Sequence, residues 1–511
     1  MRARVEATVA AAEAGRWTGP WDGLVLETPL PPQSGDGAGT SRYTAERGPF
    51  TRYHRVVEVA AGPDGLVRVR SEVDFRLAVP YFGPLLALPV RRALRVAGAP
   101  SPWWGPADRL DTRAATVLAT LCAASMVAGF LGTSITQTIT YAASGFGHDS
   151  DRAQGTSLAI VRLAMLLALV LVAIADRRGR RRVIVGCIAA GCVLAGVVAI
   201  TPSLAWYTAV HTLLRSFSTA LAILIAVVAV EEMPAGARAF AVSVVSMSAA
   251  LGAGICVMAL PLADIGTNGW RLVFLVPLLA LPAVPGLARR LPESKRFVAR
   301  TGPVRLTGHG RRLALLATST FLVQIFVAPA SQLQNQFLRD ERGYSALGIT
   351  IFTICTNTPA GIGVLAGGRL ADRRGRRIVG SVALLGGVAG AVVTFLSSGA
   401  AMWTASLLGG ILAGATVPAL GVYGPELFPT ALRGKANGII GVTGVLGAAL
   451  GLLVAGALSD ALGGLGRALA VLSIGPILLA ILVLTRYPET AGLELETINP
   501  EDARVFPAVP T

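Results

Sequence analysis

Charged residues are scarce in this chain: only 14% of its 511 residues are Asp, Glu, Lys or Arg, whereas 53% are hydrophobic. Soluble domains usually carry about 25% charged residues, so this balance favours a membrane protein. The sequence has five cysteines, and their spacing fits neither a disulfide framework nor a metal site. Because no Gly-rich nucleotide loop or catalytic triad occurs either, we expect no cofactor, no metal ion and no enzymatic activity.

Long apolar stretches are abundant from Ala114 onward. A membrane-spanning helix needs about 20 mostly apolar residues, and twelve stretches meet this requirement. They are numbered here as spans 1 to 12: 114–144, 155–175, 183–201, 204–230, 237–263, 270–288, 313–337, 346–366, 378–397, 402–424, 435–458 and 466–485. The sequence therefore predicts an all-α membrane protein with twelve transmembrane helices in two sets of six, preceded by a small α+β region.

The net charge of +16 reflects topology, because the basic residues are unevenly placed. The loops after spans 2, 4, 6, 8 and 10, together with the first two residues of the spans that follow them, hold 21 Lys or Arg, against 5 in the same regions on the other side. The positive-inside rule then predicts a multi-pass protein of the cytoplasmic (inner) membrane with both termini in the cytoplasm. We expect contact with the lipid bilayer and no nucleic-acid partner.

Three sequence patterns occur twice at nearly the same offset. The run Ala-Asp-Arg-Arg-Gly-Arg-Arg stands at 175–181 and again at 371–377. At offsets of 195 and 196 residues, Glu231-x-x-Pro234-x-x-x-Arg238 recurs as Glu426-x-x-Pro429-x-x-x-Arg433, and Pro292-Glu293-Ser294 recurs as Pro488-Glu489-Thr490. Residues 115–298 and 312–494 are therefore two copies of one unit, and such parallel repeats are an architecture of secondary transporters.

The repeated Asp-Arg-x-Gly-Arg-Arg pattern resembles the signature loop of the major facilitator superfamily. The second copy, 367–377, fits the family pattern almost completely, whereas the first has Val172 where the second has Gly368. The Pro-Glu-Ser and Pro-Glu-Thr segments resemble the end motifs of sugar porters and related metabolite transporters. The resemblance spans residues 114–498 and implies two six-helix bundles that expose a central site alternately to the two sides.

The same resemblance implies a salt-bridge lock at the cytoplasmic end. We expect one cluster in each copy: Arg180, Glu231 and Arg238 in the first, and Arg376, Glu426 and Arg433 in the second. The loop acids Asp176 and Asp372 are each expected to cap the start of the next helix. Such a lock forms when the cytoplasmic gate is closed and breaks when it opens.

Polar residues at mid-span are the candidates for substrate and proton binding, since burying them in lipid is costly. Arg215 lies near the middle of span 4, with His211 one turn before it on the same face. The alternative is that Arg215 pairs structurally and His211 lies towards the outer interface. A polar cavity lining is predicted from Gln137, Gln324, Gln332, Asn335 and Asn357, some of which could instead join helices by hydrogen bonds.

The region before span 1 has a strand pattern. Val56–Ala60, a turn at 62–65 and an alternating run from Val67 to Leu77 predict a β-hairpin with one buried face. This pattern resembles part of a START-like, helix-grip lipid-binding domain. Residues 81–95 suit an amphipathic helix at a core or a membrane surface, although Pro84 and Pro89 disfavour a regular one.

The predicted organisation follows from these patterns. We expect an N-terminal cytoplasmic region at 1–110, a six-helix bundle at 111–290, a linker at 291–312, a second bundle at 313–487 and a cytoplasmic tail at 488–511. The chain is expected to be a monomeric secondary active transporter for a small organic solute, with an organic anion or metabolite favoured and with coupling to protons. The alternatives are a proton-driven drug or metabolite efflux pump and a membrane sensor that does not transport.

Overall fold

The structure, a computed structural model, describes most of the chain. The described residues are 1–31, 33, 39–62, 66–102, 104–147, 157, 160–161, 164–293, 306–334, 337–344, 346–429 and 432–503. The chain divides into two compact units, Met1–Ala123 and Ala124–Thr511.

The first unit contains a five-stranded antiparallel sheet in the order β1-β5-β4-β3-β2. Its elements are β1 (Arg2–Ala10), α1 (Ala11–Thr18), β2 (Leu26–Leu30), β3 (Thr40–Arg47), β4 (Phe50–Ala61), β5 (Leu66–Leu77) and α2 (Gly83–Ala93). The predicted hairpin is formed by β4 and β5, with Val57 opposite Ser71 and Val59 opposite Val69. Alternate side chains of these strands are buried, which is the period that the sequence shows.

A buried ion pair lies in the core of this unit. The side chains of Arg55 and Glu27 are both fully buried, and two guanidinium nitrogens of Arg55 donate hydrogen bonds of 2.8 and 2.6 Å to the two carboxylate oxygens. The guanidinium lies between the rings of Trp21 and Tyr43, at 4.0 and 4.2 Å from their centroids. Tyr53 donates a hydrogen bond of 2.6 Å to Glu27, and burial raises the pKa of this phenol above its ordinary value. The pair is therefore fully hydrogen-bonded where it is buried.

The first turns of span 1 belong to the same unit and are hydrogen-bonded to the sheet. The Thr112 hydroxyl donates to the carbonyl of Phe50 at 2.8 Å, and the Thr116 hydroxyl donates to the carbonyl of Ala78 at 3.0 Å. The ends of β4 and β5 that face span 1 are thereby fixed beside its first two turns.

Membrane-spanning helices begin at Thr112, in the last residues of the first unit, and make up the second unit. Among the described residues, eleven helices are long and apolar enough to cross a membrane. Spans 1, 3, 4 and 5 are Thr112–Gly145, Arg180–Ala199, Leu204–Glu232 and Arg238–Ala259; spans 7, 9 and 11 are Gly310–Gln332, Arg376–Leu396 and Arg433–Leu462. Span 2 is described as a continuous helix over Ala164–Arg178. The predicted fold class is thus confirmed.

The other spans consist of consecutive helical segments. Span 6 comprises Trp270–Val273, Val276–Ala283 and Val284–Arg290; span 8 comprises Ala346–Asn357 and Ala360–Arg374; span 10 comprises Gly399–Gly421 and Tyr423–Glu426; and span 12 comprises Leu465–Leu472 and Ile474–Arg486. Prolines lie at or near these interruptions, for example Pro277, Pro359 and Pro476. Membrane helices tolerate such breaks where neighbouring helices satisfy the freed backbone groups.

Two predicted span ends need correction. Span 2 was expected to end near residue 175 and span 8 near residue 366, but the helices continue to Arg178 and Arg374. Cations are favourable at a helix C-terminus, so the arginines of the repeated motif extend these helices. The connecting loop is reduced to Gly179 and Gly375, whose φ angles of +103° and +95° are accessible mainly to glycine.

The repeat is also visible in the helix packing. A Cβ on Gly252 of span 5 would lie 1.8 Å from the carbonyl oxygen of Met126 in span 1. A Cβ on the equivalent Gly447 of span 11 would lie 2.6 Å from the carbonyl oxygen of Phe321 in span 7. Both pairs permit close backbone approach between the first and fifth helices of a copy, as small residues do in membranes.

Candidate functional site

The helices that follow the glycine turns are capped by distant glutamates. Glu293 accepts hydrogen bonds from the backbone nitrogens of Arg180 at 2.9 Å and Arg181 at 3.2 Å. Glu489 accepts the equivalent hydrogen bonds from Arg376 and Arg377 at 3.0 and 3.2 Å. The prediction that the loop acids cap these helices is wrong, because the end-motif glutamates occupy that position.

The loop acids instead face the first turn of a helix in the other bundle. Asp372 accepts hydrogen bonds from the backbone nitrogens of Ala239 at 3.1 Å and Phe240 at 3.3 Å, which lie at the start of span 5. It also accepts a hydrogen bond of 2.9 Å from Arg376. Asp176 occupies the equivalent place beside span 11, where a Cβ on Gly434 would lie 2.5 Å from its carboxylate. Each loop acid therefore contacts both bundles.

Two buried glutamates join the bundles. Glu231 pairs with Arg180 of its own copy and with Arg433 of the other, the latter at 2.5 Å. Glu426 pairs with Arg376 of its own copy and with Arg238 of the other, the latter at 3.7 Å. All six side chains of these pairs are at most 1% exposed.

The expected grouping of these residues by copy is therefore corrected. Arg238 and Arg433 are exchanged between the clusters, so that each pairs with the glutamate of the opposite bundle. The reason is geometric: each of these arginines is the first residue of a helix that begins at the boundary between the bundles. We call the four pairs of Glu231 and Glu426 the cross-bundle lock, and we call the end of the membrane unit that carries it the motif end.

The segment after span 12 lies across the same boundary. Arg238 donates hydrogen bonds to the carbonyl of Leu493 at 2.7 Å and to Glu494 at 3.1 Å. In the short helix α3 (Leu495–Ile498), Leu495 is fully buried against residues of both copies, namely Val230, Ala239, Val242, Ala371, Val379, Ala419 and Val422. Asn499 donates to the carbonyl of Glu426 at 2.7 Å. The tail thus contacts both bundles at the lock.

The first copy's departure from the family pattern has a structural counterpart in the second. Val172 replaces the equivalent of Gly368, but it faces Gly434, where a Cβ would lie 2.6 Å from a Val172 methyl group. Gly368 faces Ala239, the equivalent of Gly434, and a Cβ on it would lie 3.0 Å from the Ala239 carbonyl. Each interface therefore has one glycine: Gly434 gives Val172 the space in the first that Gly368 gives Ala239 in the second.

The mid-membrane candidate Arg215 lies against span 1. Its guanidinium donates a hydrogen bond to the carbonyl of Gly132, and the hydroxyl of Ser218, three residues on, donates to the carbonyl of Ala128 at 3.0 Å. A Cβ at Gly132 would lie 3.3 Å from the guanidinium, so this glycine lets the cation reach the backbone. No carboxylate of the described residues lies within ion-pair distance of Arg215.

His211 lies in an aromatic cluster one turn away. It is fully buried, with ring centroids 4.4 Å from Tyr207 and 5.2 Å from Phe274. Its Nε2 atom is 3.5 Å from the hydroxyl of Ser134, and the Tyr207 hydroxyl is hydrogen-bonded to that of Thr138 at 2.8 Å. Hydroxyl groups of span 1 thus lie beside His211.

The other predicted lining residues are spread over three helices. Gln137 on span 1 and Gln324 on span 7 are half-buried, and Asn357 on span 8 is exposed. No described hydrogen bond joins these three side chains. The side chain of Gln332 and the whole of Asn335 lie outside the described residues.

Sequence reasoning missed the role of Glu293 and Glu489 as helix caps. A signal was present: each glutamate stands 113 residues after the arginine whose backbone it binds, in both copies. Two repeated motifs at a constant separation indicate a repeated contact. The tail residues Glu494, Leu495 and Asn499 had no such signal, because the sequence at the corresponding offset in the first copy, 298–303, does not repeat them.

Comparison with known proteins agrees with this geometry. Residues 313–508 match the family model described as Major Facilitator Superfamily. The structure of the proton:xylose symporter XylE bound to 6-bromo-6-deoxy-D-glucose is similar at a TM-score of 0.64 and 18% identity, covering 76% of this chain and 99% of that chain. The membrane unit therefore has the fold of this solved transporter, and its second bundle matches the superfamily's sequence model.

Other solved superfamily structures have the same fold. The human organic anion transporter MFSD10 (TETRAN) is similar at a TM-score of 0.59 and 17% identity, covering 72% of this chain and 99% of that chain. FucP in the outward conformation is similar at a TM-score of 0.61 and 13% identity, covering 73% and 98%. No curated protein matches the chain significantly in sequence. The chain is thus a multi-pass membrane protein whose membrane unit has the fold of these solved transporters.

Proposed function

We propose that this chain transports a small organic anion by alternating access, coupled to protons, with Arg215 as the anion-binding cation and the cross-bundle lock as the gate of the motif end. Arg215 is the observation that carries the proposal. A cation at mid-membrane needs a counter-charge or water to offset its desolvation.

The contacts of Arg215 favour an anionic substrate. Its described hydrogen bond is to the backbone carbonyl of Gly132, which supplies a dipole but no counter-charge. A guanidinium has five N–H donors and binds carboxylates and phosphates in a bidentate manner. A substrate carboxylate or phosphate at this point would therefore replace the missing acid. One structural neighbour is described as an organic anion transporter.

The lock supports alternating access. It joins the bundles through two ion pairs, Glu231 with Arg433 and Glu426 with Arg238, and the tail adds contacts across the same boundary. With these contacts formed the motif end is closed, so substrate can pass only after they separate. Buried ion pairs need not add net stability, because desolvation offsets their attraction, which suits a contact that must break in each cycle.

Proton coupling is assigned to His211. Histidine is the only side chain whose unperturbed pKa lies between pH 5 and 8. The nearby hydroxyls of Ser134, Thr138 and Tyr207 provide hydrogen-bonding groups for a proton path along span 1. Substrate charge at Arg215 and proton occupancy at His211 would then be coupled over one helical turn.

The test is transport by the purified full chain in liposomes. A panel of labelled carboxylates, phosphate esters and neutral sugars would be offered, with and without an imposed pH gradient. We expect saturable uptake of an anion that Arg215→Ala abolishes and Arg215→Lys restores only in part, because lysine lacks the guanidinium fork. Arg467→Ala, which removes an exposed arginine outside the lock and the repeated motif, is the matched control and should transport normally.

The remaining outcomes distinguish the alternatives. His211→Ala should retain anion binding and flatten the pH profile of uptake. Normal anion transport by Arg215→Ala would contradict the anion site, and a neutral substrate would contradict the substrate class. Binding of an anion without accumulation in the liposomes would favour a sensor.

A further inference from the structure

We propose that α2 and its flanks, residues 81–96, form a membrane-surface element that inserts apolar side chains into the leaflet at which span 1 begins and binds anionic phospholipid headgroups through three arginines. We call this stretch the surface segment. It lies in the N-terminal unit, and its partner is independent of the transported solute.

The surface segment has an outward face that is apolar where a soluble domain would be polar. Leu85 is 73% exposed, Leu88 56% and Tyr81 41%. Within α2, Leu85 and Leu88 fall on one side of the helix with Pro84, at spacings of three and four residues, and Tyr81 lies in the turn before the helix. Val90 and Leu94, on the opposite side, are at most 4% exposed and pack into the core of the unit. One side of α2 is therefore packed against the domain core, and its other side, which is also apolar, is exposed.

The same outward face continues into a cluster of basic residues. Arg91, Arg92 and Arg95 are exposed and follow Leu88 within two helical turns. The sequence contains no Asp or Glu between Asp74 and Asp108, so no nearby acid along the chain neutralises them. An apolar stretch beside several arginines is typical of helices that lie in the interface of an anionic membrane.

A hydrogen bond joins the chain just before this segment to span 1. Ala78, at the end of β5, accepts a hydrogen bond from Thr116, which lies in the second turn of span 1. Helix α2 begins at Gly83, and five residues of chain reach at most about 17 Å. The start of α2 is therefore held within about 17 Å of Ala78, which contacts the second turn of span 1. Because the segment is close to span 1 and carries basic charge, we take lipid rather than a soluble protein as the partner of its apolar face.

The experiment uses the full chain in a cysteine-less background with a nitroxide spin label at Leu88→Cys. The protein is placed in bilayers of phosphatidylcholine alone or of phosphatidylcholine with phosphatidylglycerol. Relaxation by oxygen, which enters lipid, is compared with relaxation by a water-soluble nickel complex. The matched control is Leu66→Cys, an exposed leucine at the far end of β5, which lies about 36 Å along the strand from Leu77 at ~3.3 Å per residue.

We expect the label at 88 to be reached by oxygen and shielded from nickel, most strongly in the anionic bilayer, and the label at 66 to be reached by nickel in both. The combined change Arg91→Gln, Arg92→Gln and Arg95→Gln should remove the difference between the two bilayers, since each arginine near an anionic surface favours binding by roughly fivefold. Equal nickel accessibility at 66 and 88 would overturn the proposal. Shielding of position 88 from both reagents would also overturn it and would indicate a protein partner.

Discussion

Each unit contains a fully buried Arg–Glu pair, but the first lies inside one domain and the second lies between two bundles. In the N-terminal unit, Arg55 and Glu27 lie inside one sheet domain, between two aromatic rings, with backbone and tyrosine groups completing their hydrogen bonds. In the membrane unit, Arg433 and Glu231 belong to different bundles and meet only where those bundles touch.

The difference shows that burial alone does not decide what an ion pair does. Separating Arg55 from Glu27 requires unfolding of a domain, whereas separating Arg433 from Glu231 requires only that two folded bundles move apart. The first pair is therefore part of a fixed core, and under the proposed mechanism the second reports the state of a gate. Four predictions test this contrast.

Arg433→Ala should have the largest effect. It leaves Glu231 buried with one partner fewer, and removing one member of a buried pair typically costs about 3–5 kcal/mol. A tenfold change in population needs only about 1.4 kcal/mol, so we expect the motif end to open more than a hundredfold more often and transport to fall sharply. Accessibility of a cysteine at Ala436, buried in the same helix, to a thiol reagent measures the opening. Unchanged accessibility and normal transport would remove the lock from the mechanism.

Arg55→Ala should destabilise the N-terminal unit by a similar amount, about 3–5 kcal/mol, for the same reason. Here the lost energy should appear as unfolding rather than as opening. Protease sensitivity of residues 1–110 measures it, and Arg52→Ala on the exposed face of the same strand is the control. An N-terminal unit as protease-resistant as the wild type would show that the ion pair does not support the core.

Replacing both members by apolar residues sharpens the contrast. Such replacements of buried pairs are often neutral or stabilising, so Arg55→Met with Glu27→Leu should leave the first unit folded. The equivalent change, Arg433→Met with Glu231→Leu, should also leave the protein folded but should impair transport, because an apolar contact lacks the charges that the proposed switch uses. Thermal unfolding and uptake, measured on both double variants, decide this. Full transport by the second variant would show that the gate needs contact area and not charge.

The smallest effect concerns Tyr53. Burial raises its pKa above the ordinary value of 10.0, so the folded unit keeps the phenol neutral while the unfolded chain ionises. Stability is therefore fully present below pH 10 and declines as the pH rises above it. Tyr53→Phe should remove this part of the decline, at the cost of one hydrogen bond to Glu27. Urea unfolding followed by tryptophan fluorescence at pH 8 and above 10 tests it. A decline of equal slope in the variant would assign the effect to other groups.

The sequence predicted which residues form the lock better than it predicted their partners. Repetition identified Glu231, Arg238, Glu426 and Arg433, but the resemblance to sugar porters implied pairing within a copy. The actual pairing depends on how the bundles face each other, and no local pattern encodes that. The Arg55–Glu27 pair was missed, although Arg55 falls on the buried register of β4 with Tyr53 and Val57.

The cross-bundle lock has the form of an isologous dimer interface contained in one chain. In a two-fold dimer, a contact from residue i to residue j is always accompanied by one from j to i. Here Glu231 contacts Arg433, and Arg238 contacts Glu426. Because Glu426 and Arg433 are the equivalents of Glu231 and Arg238, 195 positions later, the two contacts are related as i to j and j to i. A true dimer must keep its two contacts identical, but a fused one need not. The two pairs already differ, at 2.5 and 3.7 Å, so either contact can be tuned by a single substitution without altering its counterpart.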